Sequence, residues 1–149
     1  MNIIWNIKSF EELTLTELYA VLKLRAEVFV VEQNCPYLDL DGKDLSCFHL
    51  IGINENNELL VYSRLLPPKI TFDEVCIGRV VSSPSYRKKG FGKELMKKSI
   101  ETIYQKFGKV PIRISAQLYL KKFYENFDFL PTSTEYLEDN ILHIEMLKN

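Results

Sequence analysis

V-C-I-G-R-V-V-S-S-P-S-Y-R-K-K-G-F-G, residues 75–92, runs from branched apolar residues through a polar turn into Arg87, Gly90 and Gly92, and then into a helical pattern. Glycines at 90 and 92 let main chain approach a bulky anion. The first turn of the following helix adds unpaired N–H groups and the positive end of its dipole. The junction therefore predicts a pyrophosphate site. A Walker loop needs G-x-x-x-x-G-K-[ST], but Arg87 stands five residues before Gly92, and Glu94 follows Lys93 where a magnesium-holding hydroxyl belongs. A dinucleotide fingerprint requires a third glycine that G-F-G-K-E-L does not supply. What remains is R-x-x-G-x-G between a strand and a helix.

Downstream, Phe91, Leu95, Ile100, Ile103, Tyr104 and Phe107 recur at helical spacing, which predicts a helix over 90–107 ended by Gly108. V-P-I-R-I-S-A (110–116) reads as a short buried strand. Leu118–Asn126 reads as a second short helix with Leu120, Phe123, Tyr124 and Phe127 on one side, and Phe129 opens another strand. Thr134–Leu137 and Ile141–Leu147 flank the turn E-D-N. Upstream, a strand is expected near 2–7. Thr14 and Glu17 form a capping box for a helix whose apolar stripe is Leu15, Leu18, Leu22, Ala26 and Phe29. Residues 34–47 form the longest loop. Strands near 48–54 and 59–66 join across E-N-N, with Pro67-Pro68 closing the second. The pattern predicts an α/β chain with a mixed, mostly antiparallel sheet of about six to seven strands and helices on both faces.

These residues resemble the GCN5-related N-acetyltransferase (GNAT) family. The matching set is I-G-R-V-V-S (77–82), R-K-K-G-F-G (87–92), I-S-A-Q (114–117) and F-Y-E-N-F-D-F (123–129). R-A-E-V-F-V-V-E-Q-N-C-P-Y-L-D-L-D-G-K-D (25–44), H-L-I-G (49–52) and Y-S-R-L-L-P (62–67) narrow the resemblance to the ElaA-like branch. It implies acetyl-coenzyme A as co-substrate. The pyrophosphate is expected on Arg87, Lys88, Lys89, Gly90, Phe91, Gly92 and Lys93, and the pantetheine arm along the main chain of Val80, Val81 and Ser82. Gln117 stands at the polar position that follows the fifth strand, and Tyr124 at the tyrosine near the sulfur. Asp128 replaces the usual glycine of the F-Y stretch, which changes a detail of the coenzyme grip.

The reaction sets limits on its groups. An alkyl amine with pKa about 10.4 is protonated at pH 7, and exposing its lone pair costs roughly 4.6 kcal/mol at about 1.36 kcal/mol per unit. A proton acceptor is useful, and so is a donor for the departing thiolate. Tyr124 is the candidate acid; the alternative is that it rims an apolar stripe with Phe123 and Phe127. Many relatives carry a glutamate base on the fourth strand, where Arg79 stands here. His49 ranks first among the candidate bases, ahead of Glu74 and His143, while a histidine in an apolar strand is also an ordinary hydrogen-bonded structural residue. By the period of two, His49, Ile51 and Ile53 share a strand face, and either face is open to the acceptor.

Arg25, Arg64 and Arg79 lie in apolar stretches where unpaired charge is costly. They hold an anionic part of the acceptor, or they pair with Glu32 and the loop acids to fix residues 34–47. Asp39, Asp41 and Asp44 do not form an EF-hand, because Gly42 at loop position six puts Tyr37 at position one and Phe48 at position twelve. Cys47 beside His49 lacks an orienting third group, so direct attack of a bound amine is simpler than a cysteine acyl-enzyme.

Composition is consistent with one domain over 1–149: at 46% hydrophobic residues, the chain can bury about two thirds of its unfolded surface. A net charge of −1, from 19 basic and 20 acidic residues, gives no general pull toward nucleic acid or anionic membrane. The absence of a long apolar run or signal pattern predicts a cytoplasmic protein. Cysteines 35, 47 and 76 are odd in number without C-x-x-C spacing, so reduced thiols are expected, with neither disulfide nor metal site. The expected acceptor is a small-molecule amine. Protein lysines or N-termini, and a non-catalytic acetyl-CoA-binding module, are the alternatives. Homodimers are common in the family, and no interface is diagnostic.

Overall fold

The computed structural model describes residues 2–149. Its central hairpin forms from two largely apolar runs buried on both faces: β2 (Phe48–Ile53) turns through Asn54–Glu58 into β3 (Leu59–Leu66). The Asn54 side-chain oxygen accepts from the N–H groups of Asn56 and Glu58, which stabilises the tight reversal. Outward from the hairpin lie β1 (Ile4–Ser9) on one side and β4 (Val75–Ser82) on the other, all antiparallel. Then come β5 (Ile112–Gln117), β8 (Ile141–Lys148) and β6 (Leu130–Pro131), with β7 (Tyr136–Glu138) also paired to β8. The sheet has eight strands rather than six or seven. The strand expected to open at Phe129 is reduced to the two-residue β6.

Helices cover both faces, as expected. On one, α2 (Phe91–Phe107) and the short α3 (Lys121–Glu125) set Met96, Ile103, Tyr124 and the adjacent Phe129 against Leu65, Ile77, Ile112, Ile114, Ile144 and Met146. On the other, α1 (Leu15–Arg25) starts at the expected capping box: Glu17 N–H donates to Thr14 Oγ1 at 3.1 Å, and Thr14 N–H to Glu17 Oε1 at 2.8 Å.

The stripe that α1 buries differs from the expected one. Val21 and Leu24, with Val28 beyond, pack on Ile51, Tyr62 and Val81, whereas Leu15 is 86% exposed and Ala26 is also exposed. Apolar residues surround this helix, so spacing alone supports two stripes. The buried one carries Arg25 inward to its carboxylate partners. From Ala26 to Glu32 the chain continues as a π-helix, whose wider turn re-aims the following side chains.

β4 and β5 run parallel and pair only through Val75–Ile112 and Cys76–Arg113 among the described residues. Beyond those pairs the strands part. β4 also bulges: Arg79 and Val80 together face Ser63 of β3, with Arg79 at a left-handed φ of 49°. An extra residue of this kind bends a strand and increases its twist.

Candidate active site

The parting of β4 and β5 opens a cleft of about 810 Å³, walled from both faces of the sheet. Gly92, Phe123 and Tyr124 reach it from the α2 and α3 side; Arg64, Arg79, Ser115, Gln117 and His143 reach it from strands and turns on the other. One opening therefore joins two compartments through the sheet.

On the helix side, a short 3₁₀ turn (Pro84–Tyr86) delivers the chain to Arg87, Lys88 at φ 65° and Gly90 at φ 77°. The left-handed geometry at Gly90 is why glycine stands there. Among the described residues no side chain caps α2, so its opening N–H groups have no side-chain acceptor. Gly92 has no positive φ to satisfy; a Cβ on it would meet Phe123 Cζ at 3.9 Å, ordinary contact, and it lines the cleft. Glycine at 92 therefore keeps cleft space open rather than relieving the backbone. The Phe91 side chain is committed to a core of Leu50, Leu60, Val61 and Leu95, which leaves its main chain for a ligand. Lys88, Lys89 and Lys93 are exposed around the loop. Arg87 forms a two-pronged pair with Glu32, at 2.8 and 2.6 Å, across the cleft mouth.

Glu32 begins a short strap. Gln33 and Gln117 exchange reciprocal amide hydrogen bonds at 3.2 Å, and the Cys35 thiol donates to the Asp139 carbonyl at 3.0 Å. The strap ties the end of the π-helix to the 87–92 loop, β5 and the β7–β8 turn. Val80, Val81 and Ser82 line the cleft opposite Gln117.

The Tyr124 ring packs edge-on with Phe123 and Phe129, and the residue also lines the cleft. Burial pushes its pKa well up, so the phenol stays protonated, and its hydroxyl makes no hydrogen bond among the described residues. It is free to donate.

The other two expected catalytic residues sit elsewhere. His49 is buried on the α1 side, outside the cleft lining, with Nε2 at 2.9 Å from the Asp44 carbonyl and Nδ1 at 2.7 Å from the Tyr62 hydroxyl. A carbonyl only accepts, so Nε2 carries the proton, and Nδ1 accepts from Tyr62. Burial lowers the pKa despite the opposing pull of Asp44. Both nitrogens are engaged, and the ring is structural. Glu74 lies outside the lining too, in a two-pronged pair with Arg113 at 2.8 Å. Those bonds hold its pKa down to about 2, far below a useful base.

The three inward arginines resolve as internal ion pairs. Arg25, 0% exposed, donates from Nε to Asp39 at 2.9 Å and from Nη1 to Asp44 at 2.8 Å. Arg64 grips Asp41 through two bonds of 2.9 Å and shares Asp44 at 3.0 Å. Arg79 leaves its bulge to reach Asp39 at 2.7 Å. Burial pushes Asp41 up, but Arg64 and the Lys43 N–H outweigh it and hold the carboxyl well below its usual range. Glu32, expected with this group, pairs with Arg87 instead. The loop is turned inside out, with its acids inward and Leu38, Leu40 and Leu45 exposed. Cys47 donates to the Lys43 carbonyl at 2.9 Å, and burial pushes its thiol up to about 11, which removes the thiolate an acyl-enzyme would need.

Sequence reasoning underrated the β7–β8 hairpin. His143 and Glu138 line the cleft, and Tyr136 hydrogen-bonds Ser115 beside them. The available signal was His143 three residues beyond the E-D-N turn, since hairpin turns beside a sheet opening commonly carry site residues.

Residues 47–149 match the profile of an acetyltransferase (GNAT) domain. The chain belongs to the GNAT family. It is 42% identical to Protein ElaA of Escherichia coli (strain K12), over 97% of this chain and 95% of that one. An acyl-CoA N-acyltransferase from Pseudomonas aeruginosa, also 42% identical, superposes with a TM-score of 0.94, covering 99% of this chain and all of the other. The crystal structure of Escherichia coli ElaA gives 0.91 at 41% identity, with 99% and 100% covered. No helix among the described residues is long and apolar enough to cross a membrane.

Proposed function

We propose that this GNAT protein transfers an acetyl group from acetyl-CoA to an amine of a small molecule by direct attack, with both substrates bound together. The observation that supports this reading is the cleft through the sheet, which joins the uncapped start of α2 and the open space at Gly92 to the hydroxyl-bearing Tyr124. Acetyl-CoA, when bound, supplies an activated acyl carbon with a thiolate leaving group. The N–H groups at Gly90, Phe91 and Gly92 take the pyrophosphate, with Arg87, Lys88, Lys89 and Lys93 adding positive field. Arg87 exchanges Glu32 for phosphate oxygen. Main chain at Val80–Ser82 pairs with the pantetheine amides as an added strand would, while Gln117 borders the same passage. Tyr124 donates its proton to the sulfur as the C–S bond breaks and the N–C bond forms.

Calorimetric titration with acetyl-CoA, beside Gly92→Trp and a dephosphorylated pantetheine control, tests the donor site. The indole is expected to occupy cleft space and weaken binding by about 100-fold, or about 2.7 kcal/mol, with thermal stability retained. Equal affinity in the variant overturns the placement. Mass spectrometry after incubation with small amines and with lysine peptides then reads the acceptor class; transfer to peptides alone overturns the small-molecule assignment.

A further inference from the structure

Resting on the transferase reading, we infer that His143 of β8 takes the proton from the acceptor amine, with Glu138 of β7 beside it to share the charge. Few groups lining the cleft are free to accept a proton. Asp41 is committed to Arg64 and Glu32 to Arg87, while burial pushes the Tyr37 phenol and the Cys76 thiol each up to about 12. On the β7–β8 hairpin the position is different. His143 Nδ1 lies 2.7 Å from the Ile141 carbonyl. That oxygen has no proton to give, so Nδ1–H is the donor and the imidazole lone pair is on Nε2. The Glu138 carboxylate stands 3.3 Å from Nε2, with its side chain half exposed to solvent.

The ring is also held in place. Tyr136 stacks on it with centroids 6.1 Å apart, and Tyr136 is anchored by its hydrogen bond to Ser115 of β5. His143 lies opposite Gln117 in the β5–β8 ladder, at the open end of the strand pair that bounds the cleft. Imidazole is the side chain whose ordinary titration falls in the neutral range, which suits proton removal from an amine. The balance closes. A protonated alkylamine gives up two protons, and the first passes to Nε2 and through Glu138 to water. Nitrogen then forms its bond to the acyl carbon as the C–S bond breaks and the sulfur leaves with the Tyr124 proton, and the second nitrogen proton returns through solvent to the Tyr124 phenolate.

Two measurements test this. In alkaline buffer, ¹⁵N spectra of the protein labelled at its two histidines read tautomers without substrate. His143 is expected with its proton on Nδ1 and Nε2 bare, and His49 with the reverse. A proton resident on His143 Nε2 overturns the inference. The second compares an alkylamine, protonated at neutral pH, with an arylamine that is not. His143→Gln is expected to lower acetyl transfer to the alkylamine by about 10²- to 10⁴-fold and to the arylamine by less than about 10-fold, with acetyl-CoA affinity unchanged. Glu138→Gln is expected to show the same selectivity in weaker form. Equal losses on both amines, or no loss, overturn the role. Donor binding without transfer to either amine by the unaltered protein brings down the transferase reading itself, whereas transfer with unchanged selectivity in His143→Gln brings down only His143.

Discussion

The two walls of the cleft are held by different physics. The wall of α2 and α3 is apolar burial behind a main-chain surface: Met96, Ile103, Tyr124 and Phe129 fill the space against the sheet, and the cleft is met by the uncapped start of α2 and a glycine. The opposite wall, residues 34–47, buries Asp39 and Asp44 among Arg25, Arg64 and Arg79, pairs the more exposed Asp41 with Arg64, and leaves its leucines in water. A wall of the first kind answers truncation of one side chain with a cavity, at a cost graded by the volume removed. A wall of the second kind does not tolerate loss of one charge, because a buried partner is left uncompensated.

The strongest challenge to this contrast is Arg25→Ala. It removes the fully buried partner that Asp39 and Asp44 share and leaves each with one other arginine, Arg79 and Arg64 respectively, so unfolding stability is expected to fall by about 3–5 kcal/mol, read by urea denaturation. A loss below about 1 kcal/mol, the range of a surface pair, would mean that the ion pairs do not secure this wall. The donor side is probed by Tyr124→Phe, which keeps the packed ring and deletes only the hydroxyl. Turnover is expected to drop by about 10- to 100-fold while calorimetric affinity for acetyl-CoA holds; equal turnover removes the phenol from the chemistry. The smallest effect is on pH. Burial sets the folded pKa of His49 below its unfolded value near 6.5, so the unfolded chain binds more protons and stability falls as pH drops below about 6.5. Asp41 and Asp44, both lowered, add a second loss that begins as pH falls below about 4, near their unfolded values. His49→Gln should flatten the first segment and leave the second; a stability profile level from pH 7 to 5 in the unaltered protein contradicts the neutral buried imidazole.

The same contrast explains what could be read from the chain. Residues 75–108 were legible almost residue by residue, because a strand, a glycine turn and an amphipathic helix each leave a period or a breaker. The β2–β3 and β7–β8 hairpins were legible for the same reason. The Arg25 stripe was not, since α1 carries apolar residues on more than one side and the choice was made by carboxylates 14 and 19 residues further on. Which of His49, Glu74 and His143 lines the cleft was not legible either. Period two shows which residues share a face but not which face meets an opening, and the partner that disarms Glu74 is 39 residues away. Electrostatic partners at such separations have no periodic trace.

The short contact between β4 and β5 also has a mechanical meaning. β1–β4 form one plate and β5–β8 another, and the plates share a seam of two residue pairs, Val75–Ile112 and Cys76–Arg113, reinforced by the Glu74–Arg113 ion pair. At the far end the paired amides of Gln33 and Gln117 bridge the gap between them. A rotation concentrated at that seam changes the width of the opening without breaking a ladder in either plate, and the amide bridge sets its narrow limit.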